Sequence, residues 1–349
     1  MFAAVDAMCD ACWVTNATER KHENALTLCG RSAWTIGGLW RRATRRILHA
    51  MTRTRRWVVW ATALVATSAA CAAAAFAFSG ASASKHLVLI VMENKAYWDV
   101  RDNPNAPYVN STLIPNGRLF TKDYATFHPS LPNYLVLTAG DAGGCTNDTC
   151  APGSVTGENL FHELDVAHPG TVAWKVYAES MPSNCYASNS GSYVVRHNPA
   201  VYFANLGASG DGSCARNDVP STQLATDLAA HALPPFAVVV PNVYNDMHSD
   251  RNTAPCSLGS AFQDEICQGD RWLSQQVPAL LAPGDVTVLV VWDEGTSDNL
   301  GGGHILLIEA GAGVAAGTKS AQPTNHYGVS DAIADRLGVP RLAPAVPKF

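Results

Sequence analysis

The sequence predicts an α/β fold, a three-layer α/β/α sandwich around a mostly parallel sheet. Three observations predict it. Short apolar runs alternate with stretches of helical length, the order that crossover-connected parallel strands require. The runs are apolar throughout rather than alternating, as strands covered on both faces are. Most end in a polar cluster, at the edge where open sheets of this class bind ligands.

The chain has 349 residues, 47% of them hydrophobic, enough to bury a full core. Residues 51–83 read as a secretory signal: Met51, a basic Arg53-Thr54-Arg55-Arg56, an uncharged run from Trp57 to Phe78, and Ala81-Ser82-Ala83 before Ser84. The alternative is an uncleaved membrane anchor through 57–78, with Arg41, Arg42, Arg45 and Arg46 on its cytoplasmic side. Residues 1–50 show no strand or helix period, and their Cys9-x-x-Cys12 lacks the second pair a zinc site needs, so they read as a disordered leader. A single catalytic domain is expected over 84–349. Residues 1–83 carry 10 of the 24 basic and 4 of the 29 acidic residues, leaving 14 and 25 and a net charge of −11. That balance excludes a nucleic-acid footprint. Six cysteines stay in the domain, an even number that in an exported chain reads as disulfides. Pairing in sequence order, Cys145–Cys150, Cys185–Cys214 and Cys256–Cys267, suits their loop neighbourhoods.

In chain order, His86 to Met92 is a buried strand, and Glu93-Asn94 at its end are candidate hard-metal ligands. Residues 95–127, rich in Pro and Asn, read mainly as loop. His128-Pro129-Ser130-Leu131-Pro132-Asn133 then opens an apolar run of helical length. This sets the Ser130 hydroxyl in the first turn, where free N–H groups and the macrodipole favour an anion; the plainer role there is a helix cap. Glu158 to Val166 reads as helix and Thr171 to Tyr177 as strand. The polar segment 180–213 contains Arg196-His197-Asn198-Pro199, either a phosphate-lining loop or a surface turn. Thr222 to Ala232 is a helix candidate. Phe236 to Val240 is a strand leading to Asp246, His248 and Asp250. Ser260 to Ala282 spaces Trp272, Leu273, Val277, Leu280 and Leu281 on one helix face. Val286 to Trp292 is the clearest strand, and the Asp293-Glu294 pair that ends it repels itself unless a cation or proton intervenes. Gly301-Gly302-Gly303-His304 leads into a strand at Ile305 to Ile308, and Asn325-His326-Tyr327 precedes a closing helix over Val329 to Leu337.

These motifs, in this order, resemble the phosphoesterase family of secreted bacterial acid phosphatases and phospholipases C, in the alkaline-phosphatase superfamily. The resemblance spans 86–340, and Ser130-Leu131-Pro132-Asn133 is also similar to the Thr-Phe-Pro-Asn of nucleotide pyrophosphatases, whose threonine is the nucleophile. It implies one divalent cation (magnesium, calcium, manganese or zinc) held by Glu93, Asn94, Asp293 and Glu294 with the nucleophile Ser130. Asn133, His197 and His304 would then hold phosphoryl oxygens, and His248 or His128 would protonate the leaving group. Asn242, where two-metal relatives carry an aspartate, and Glu294, where they carry histidine, argue against a second full metal site.

The function so implied is a secreted, metal-dependent phosphomonoesterase working through a phosphoseryl intermediate on a phosphate monoester, with phosphoinositides among the substrates to test. A phospholipase C and a non-catalytic surface protein on the same fold are the two alternatives. The acidic surface offers no attraction to anionic lipid, and the complete acidic set speaks against the non-catalytic reading.

Overall fold

The computed structural model describes residues 84–344 apart from 208 and 297–300. The expected leader, signal or anchor, Met51 start and span 57–78 lie outside the described residues. Within them no helix is long and apolar enough to cross a membrane.

Nine strands form one mixed sheet: β1 (His86–Met92), β2 (Gly117–Tyr124), β3 (Trp174–Ala178), β4 (Asp218–Pro220), β5 (Phe236–Val240), β6 (Val286–Trp292), β7 (His304–Gly311), β8 (Thr318–Ser320) and β9 (Thr324–Asn325). The order is β4-β3-β5-β1-β6-β7-β2-β8, with β9 pairing β2. Only β7 runs antiparallel to its neighbours, β6 and β2. The central β1, β5 and β6 are buried almost residue for residue, as their unbroken apolar sequences require. Among the described residues five longer helices flank the sheet: α1 (Leu131–Ala139), α2 (Leu160–Ala167), α3 (Thr222–Ala229), α4 (Ala261–Leu281) and α5 (His326–Leu337). α1 packs on α5, and α4 on β6. All nine residues of α1 are buried, whereas α4 buries one face, including Trp272, Leu273, Val277 and Leu280. Gly269 on that face lets Met247 pack close, since a Cβ there would come 2.3 Å from Met247 Cγ and force that side chain to move.

The loop expected over 95–127 contains β2, which sequence reading missed. Gly117-Arg-Leu-Phe-Thr-Lys-Asp-Tyr mixes charges into the strand, and its register breaks between Phe120 and Asp123, so no simple period survives. The three disulfides pair in sequence order.

This topology positions the site. Because β1, β5 and β6 are parallel, Glu93, Asn242 to His248 and Asp293 all emerge at one edge. Antiparallel β7 starts at that edge, pairing His304 with Tyr124 at the end of β2, from which the chain runs on to Ser130. Gly301 to Gly303 all adopt positive φ, and a Cβ on Gly302 would lie 2.4 Å from Phe127 O. Three left-handed glycines therefore let this turn press against the segment that delivers His128 and Ser130.

Candidate active site

Ser130 stands at the N-cap position of α1, yet its side chain does not cap the helix. The hydroxyl instead lies 3.1 Å from Glu93 Oε2 and 3.4 Å from Glu294 Oε1. The plainer sequence reading of Ser130, as a cap, is therefore not what the geometry shows. Ser130, Glu93, Asp293 and Glu294 are each at most 2% exposed. Asn94, at φ +50°, turns the chain so that its backbone N–H donates to Asp293 Oδ1 at 3.1 Å and its Nδ2 donates to Glu93 Oε2 at 2.9 Å. Its amide nitrogen, rather than the oxygen a cation would take, thus faces Glu93.

Three buried carboxyls around one hydroxyl are costly, since each charge is removed from water beside another. Burial first, and then Asp293, raise Glu93 well above its ordinary value; burial and Glu294 do the same to Asp293. Glu294 is pushed up to about 9 by burial, Glu93 and Asp148. Asp293 Oδ2 is buried without a hydrogen-bond partner. Glu93 Oε1 and Glu294 Oε2 face His197 Nε2 at 3.0 Å and His128 Nδ1 at 2.8 Å, without hydrogen-bonding angles. An oxygen-only cluster with unanswered negative charge fits a hard divalent cation. These oxygens are nonetheless spread more widely than a tight chelate. Among the described residues the one Cys/His/Asp/Glu group within 4.8 Å is Cys185, Cys214 and Asp218, whose sulfurs are joined in a disulfide.

The other expected site residues divide. His197 is buried between two acids, Nε2 toward Glu93 and Nδ1 3.1 Å from Asp246 Oδ2, with its ring stacked on Tyr134. Burial lowers its pKa while Glu93 opposes that shift. Asn133, expected to bind phosphoryl oxygen, is otherwise engaged. Its Oδ1 accepts from Thr126 N and Oγ1 and from Phe127 N, and its Nδ2 donates to Phe127 O. It thus clamps the segment before Ser130. His304 stacks on Tyr97 at 4.3 Å and its Nε2 meets Thr121 O at 3.1 Å, so its contacts are to the sheet edge rather than to Ser130. His248 accepts from Arg196 Nη2 at 3.0 Å; burial, His197 and Arg196 lower its pKa to about 4, keeping it neutral at physiological pH. Asn242 closes its own turn, its Oδ1 accepting from Tyr244 N and its Nδ2 donating to Ser180 Oγ.

Sequence reading missed two charged residues here. Lys95 is 2% exposed, donates to Met247 O at 2.7 Å and pairs with Glu265 at 3.0 Å, tying the β1 end to the loop after β5. Asp148, in the loop closed by Cys145–Cys150, accepts from Leu131 N at 2.9 Å. Neither stands in a pattern, and both were assembled by tertiary contact alone.

The model of the Phosphoesterase family matches residues 102–298. A phosphatidylinositol-3-phosphatase of Mycobacterium tuberculosis is 32% identical over 74% of this chain and 79% of its own length. A phosphate-repressible acid phosphatase of Penicillium chrysogenum is 27% identical over 66% of the chain, and an acid phosphatase of Aspergillus fumigatus 26% identical over 72%. The chain spans about half the length of these fungal relatives (55% and 54%). A Vibrio parahaemolyticus protein of the alkaline phosphatase superfamily shares the fold, with a TM-score of 0.52 at 14% identity over 74% of this chain and 67% of that one. The chain therefore belongs to the phosphoesterase family, hydrolases of phosphoric ester bonds.

Proposed function

We propose that the protein is an exported, metal-dependent phosphomonoesterase with Ser130 as its nucleophile. One observation carries this reading: the buried Ser130 hydroxyl meets the Glu93 and Glu294 carboxyls instead of capping its helix. Glu93, Asp293, Glu294 and Ser130 would hold a divalent cation, with Asn94 the adjoining amide, and the bound cation would supply positive charge that favours the serine alkoxide. Ser130 Oγ attacks phosphorus in line as its proton passes to a neighbouring carboxylate, the ester P–O bond breaks, and water later cleaves the phosphoseryl bond. His128, 2.8 Å from Glu294 and two residues before the nucleophile, would protonate the departing alcohol. His197 and Asn133 act by positioning, His197 against Glu93 and Asn133 on the 126–127 segment. Export is supported by three disulfides and the leader-like residues 51–83.

A phosphoinositide headgroup is the substrate to test beside simple monoesters, given the name of the 32%-identical relative. The test is p-nitrophenyl phosphate hydrolysis across pH, with and without chelator, by wild type and Ser130→Ala. Chelator-sensitive turnover that falls by at least about 10³-fold in the variant is expected. Near wild-type turnover by Ser130→Ala would refute the assignment.

A further inference from the structure

Helix α1 begins in an unusual way for a helix whose first turn lies beside a nucleophile. Asn133 N and Tyr134 N both donate to Ser130 O, and Pro132 has no N–H, which leaves Leu131 N–H as the open donor of the first turn. That donor already carries an anion: Asp148 Oδ1 accepts from it at 2.9 Å. The other oxygen, Asp148 Oδ2, stands 3.4 Å from Arg196 Nε, a buried nitrogen that lacks a hydrogen-bond partner. Arg196 is held in place by its Nη2 on His248. A backbone N–H and a guanidinium therefore bracket one carboxylate immediately beside Ser130, Leu131 N–H hydrogen-bonded to one oxygen and Arg196 Nε 3.4 Å from the other. Two donors so arranged suit two oxygens of a phosphoryl group equally well.

Asp148 is only partly buried, its side chain 32% exposed. Its loop does not depend on the contact. Cys145–Cys150 closes it, Asn147 Oδ1 accepts from Thr149 N and Oγ1, and Thr146, Asn147 and Thr149 are exposed. A rotation of the Asp148 side chain into solvent leaves that turn intact.

We infer that Leu131 N–H and Arg196 form the phosphoryl seat of the active site and that Asp148 is a built-in competitor for it, displaced when a phosphate monoester or inorganic phosphate binds. This rests on the phosphomonoesterase reading, and it adds two specificity-determining side chains, Arg196 as substrate contact and Asp148 as its internal rival. Asp148 then sets affinity without taking part in bond making.

The experiment compares wild type, Asp148→Asn, Arg196→Gln and the double variant as metal-loaded, disulfide-intact proteins. Asp148→Asn keeps an acceptor for Leu131 N–H and removes only the charge. It should lower both KM for p-nitrophenyl phosphate and Ki for inorganic phosphate about three- to tenfold, with kcat within about twofold. Arg196→Gln should raise both about tenfold or more, and the double variant should match it, because the competitor's second anchor is gone. If Arg196→Gln does not fold, Arg196→Lys, which keeps the charge but not the fork, takes its place. An unchanged or raised phosphate Ki in Asp148→Asn overturns the inference and leaves Asp148 a remote helix cap. Calorimetric titration of inorganic phosphate into wild type and Asp148→Asn reads the seat without turnover. Tighter phosphate binding in Asp148→Asn with no monoester hydrolysis by wild type would refute the phosphomonoesterase reading alone. Turnover that depends on Ser130, with phosphate affinity unmoved by Asp148→Asn, would refute the competitor alone.

Discussion

Replacing Asp218 by asparagine isolates the energetic effect of one buried carboxyl outside the catalytic cluster. Asp218 begins β4 with 0% exposure, and burial pushes its pKa from 3.8 up to about 8, against the pull of Asn198 Nδ2, which donates to both its oxygens at 3.0 and 2.9 Å. Asn198 Oδ1 beside it is buried without a partner, an acceptor suited to a neutral acid or an amide but not to a carboxylate. The folded pKa is raised, so the native state holds a proton that the unfolded state has released between about pH 4 and pH 8. Stability from this group is therefore fully present below pH 3.8 and is lost as pH rises through about 8. At about 1.36 kcal/mol per pH unit the ceiling near pH 7.5 is about 5 kcal/mol, and relaxation of the core reduces the expected effect to about 2–3 kcal/mol. Asp218→Asn has no proton to lose. Relative to wild type it should gain that amount between pH 4 and pH 7.5, a shift of about 5–10 °C in Tm for a domain of this size. The assay is thermal unfolding of disulfide-intact protein at both pH values. A stability difference that is independent of pH, or that favours wild type more at pH 7.5, would refute the neutral-acid argument.

Asp123, also raised to about 8 by burial, carries the same sign, so Asp123→Asn should likewise flatten the alkaline loss of stability in urea unfolding. Purified protein should contain about one equivalent of divalent metal by elemental analysis, and Asp293→Ala should lose both metal and turnover while keeping its fold by circular dichroism. Asn133→Ala removes the clamp on Thr126 and Phe127 and should cost about 2–3 kcal/mol in chemical unfolding, with a fall in kcat but no loss of metal. Replacing the Cys185–Cys214 pair should cost about 3–4 kcal/mol, against about 2 kcal/mol for Cys145–Cys150, because the first closes the longer loop (sequence separations 29 and 5).

The central strands, the long α4 helix and the polar dipeptides ending β1 and β6 were all legible in the sequence. A strand buried on both faces is apolar at every position, and a polar pair at its end therefore stands out. The order of motifs sufficed for the family, and the even number of cysteines for the disulfides. Strand β2 was not legible, since its irregular register mixes polar and apolar residues without a period. Nor were the duties of individual polar side chains. Asn133 and His304 lie in motifs that suggested phosphate contact, yet one clamps a loop and the other stacks on Tyr97. Asp148 and Lys95 lie in no motif, yet one reaches the first N–H of α1 and the other joins the ends of two strands. The physical reason is the range of the forces involved. Hydrophobic burial repeats along the chain and leaves a period in it, whereas a hydrogen bond or ion pair forms between atoms about 3 Å apart whose residues are separated arbitrarily in sequence, so only the folded chain decides which acid meets which donor.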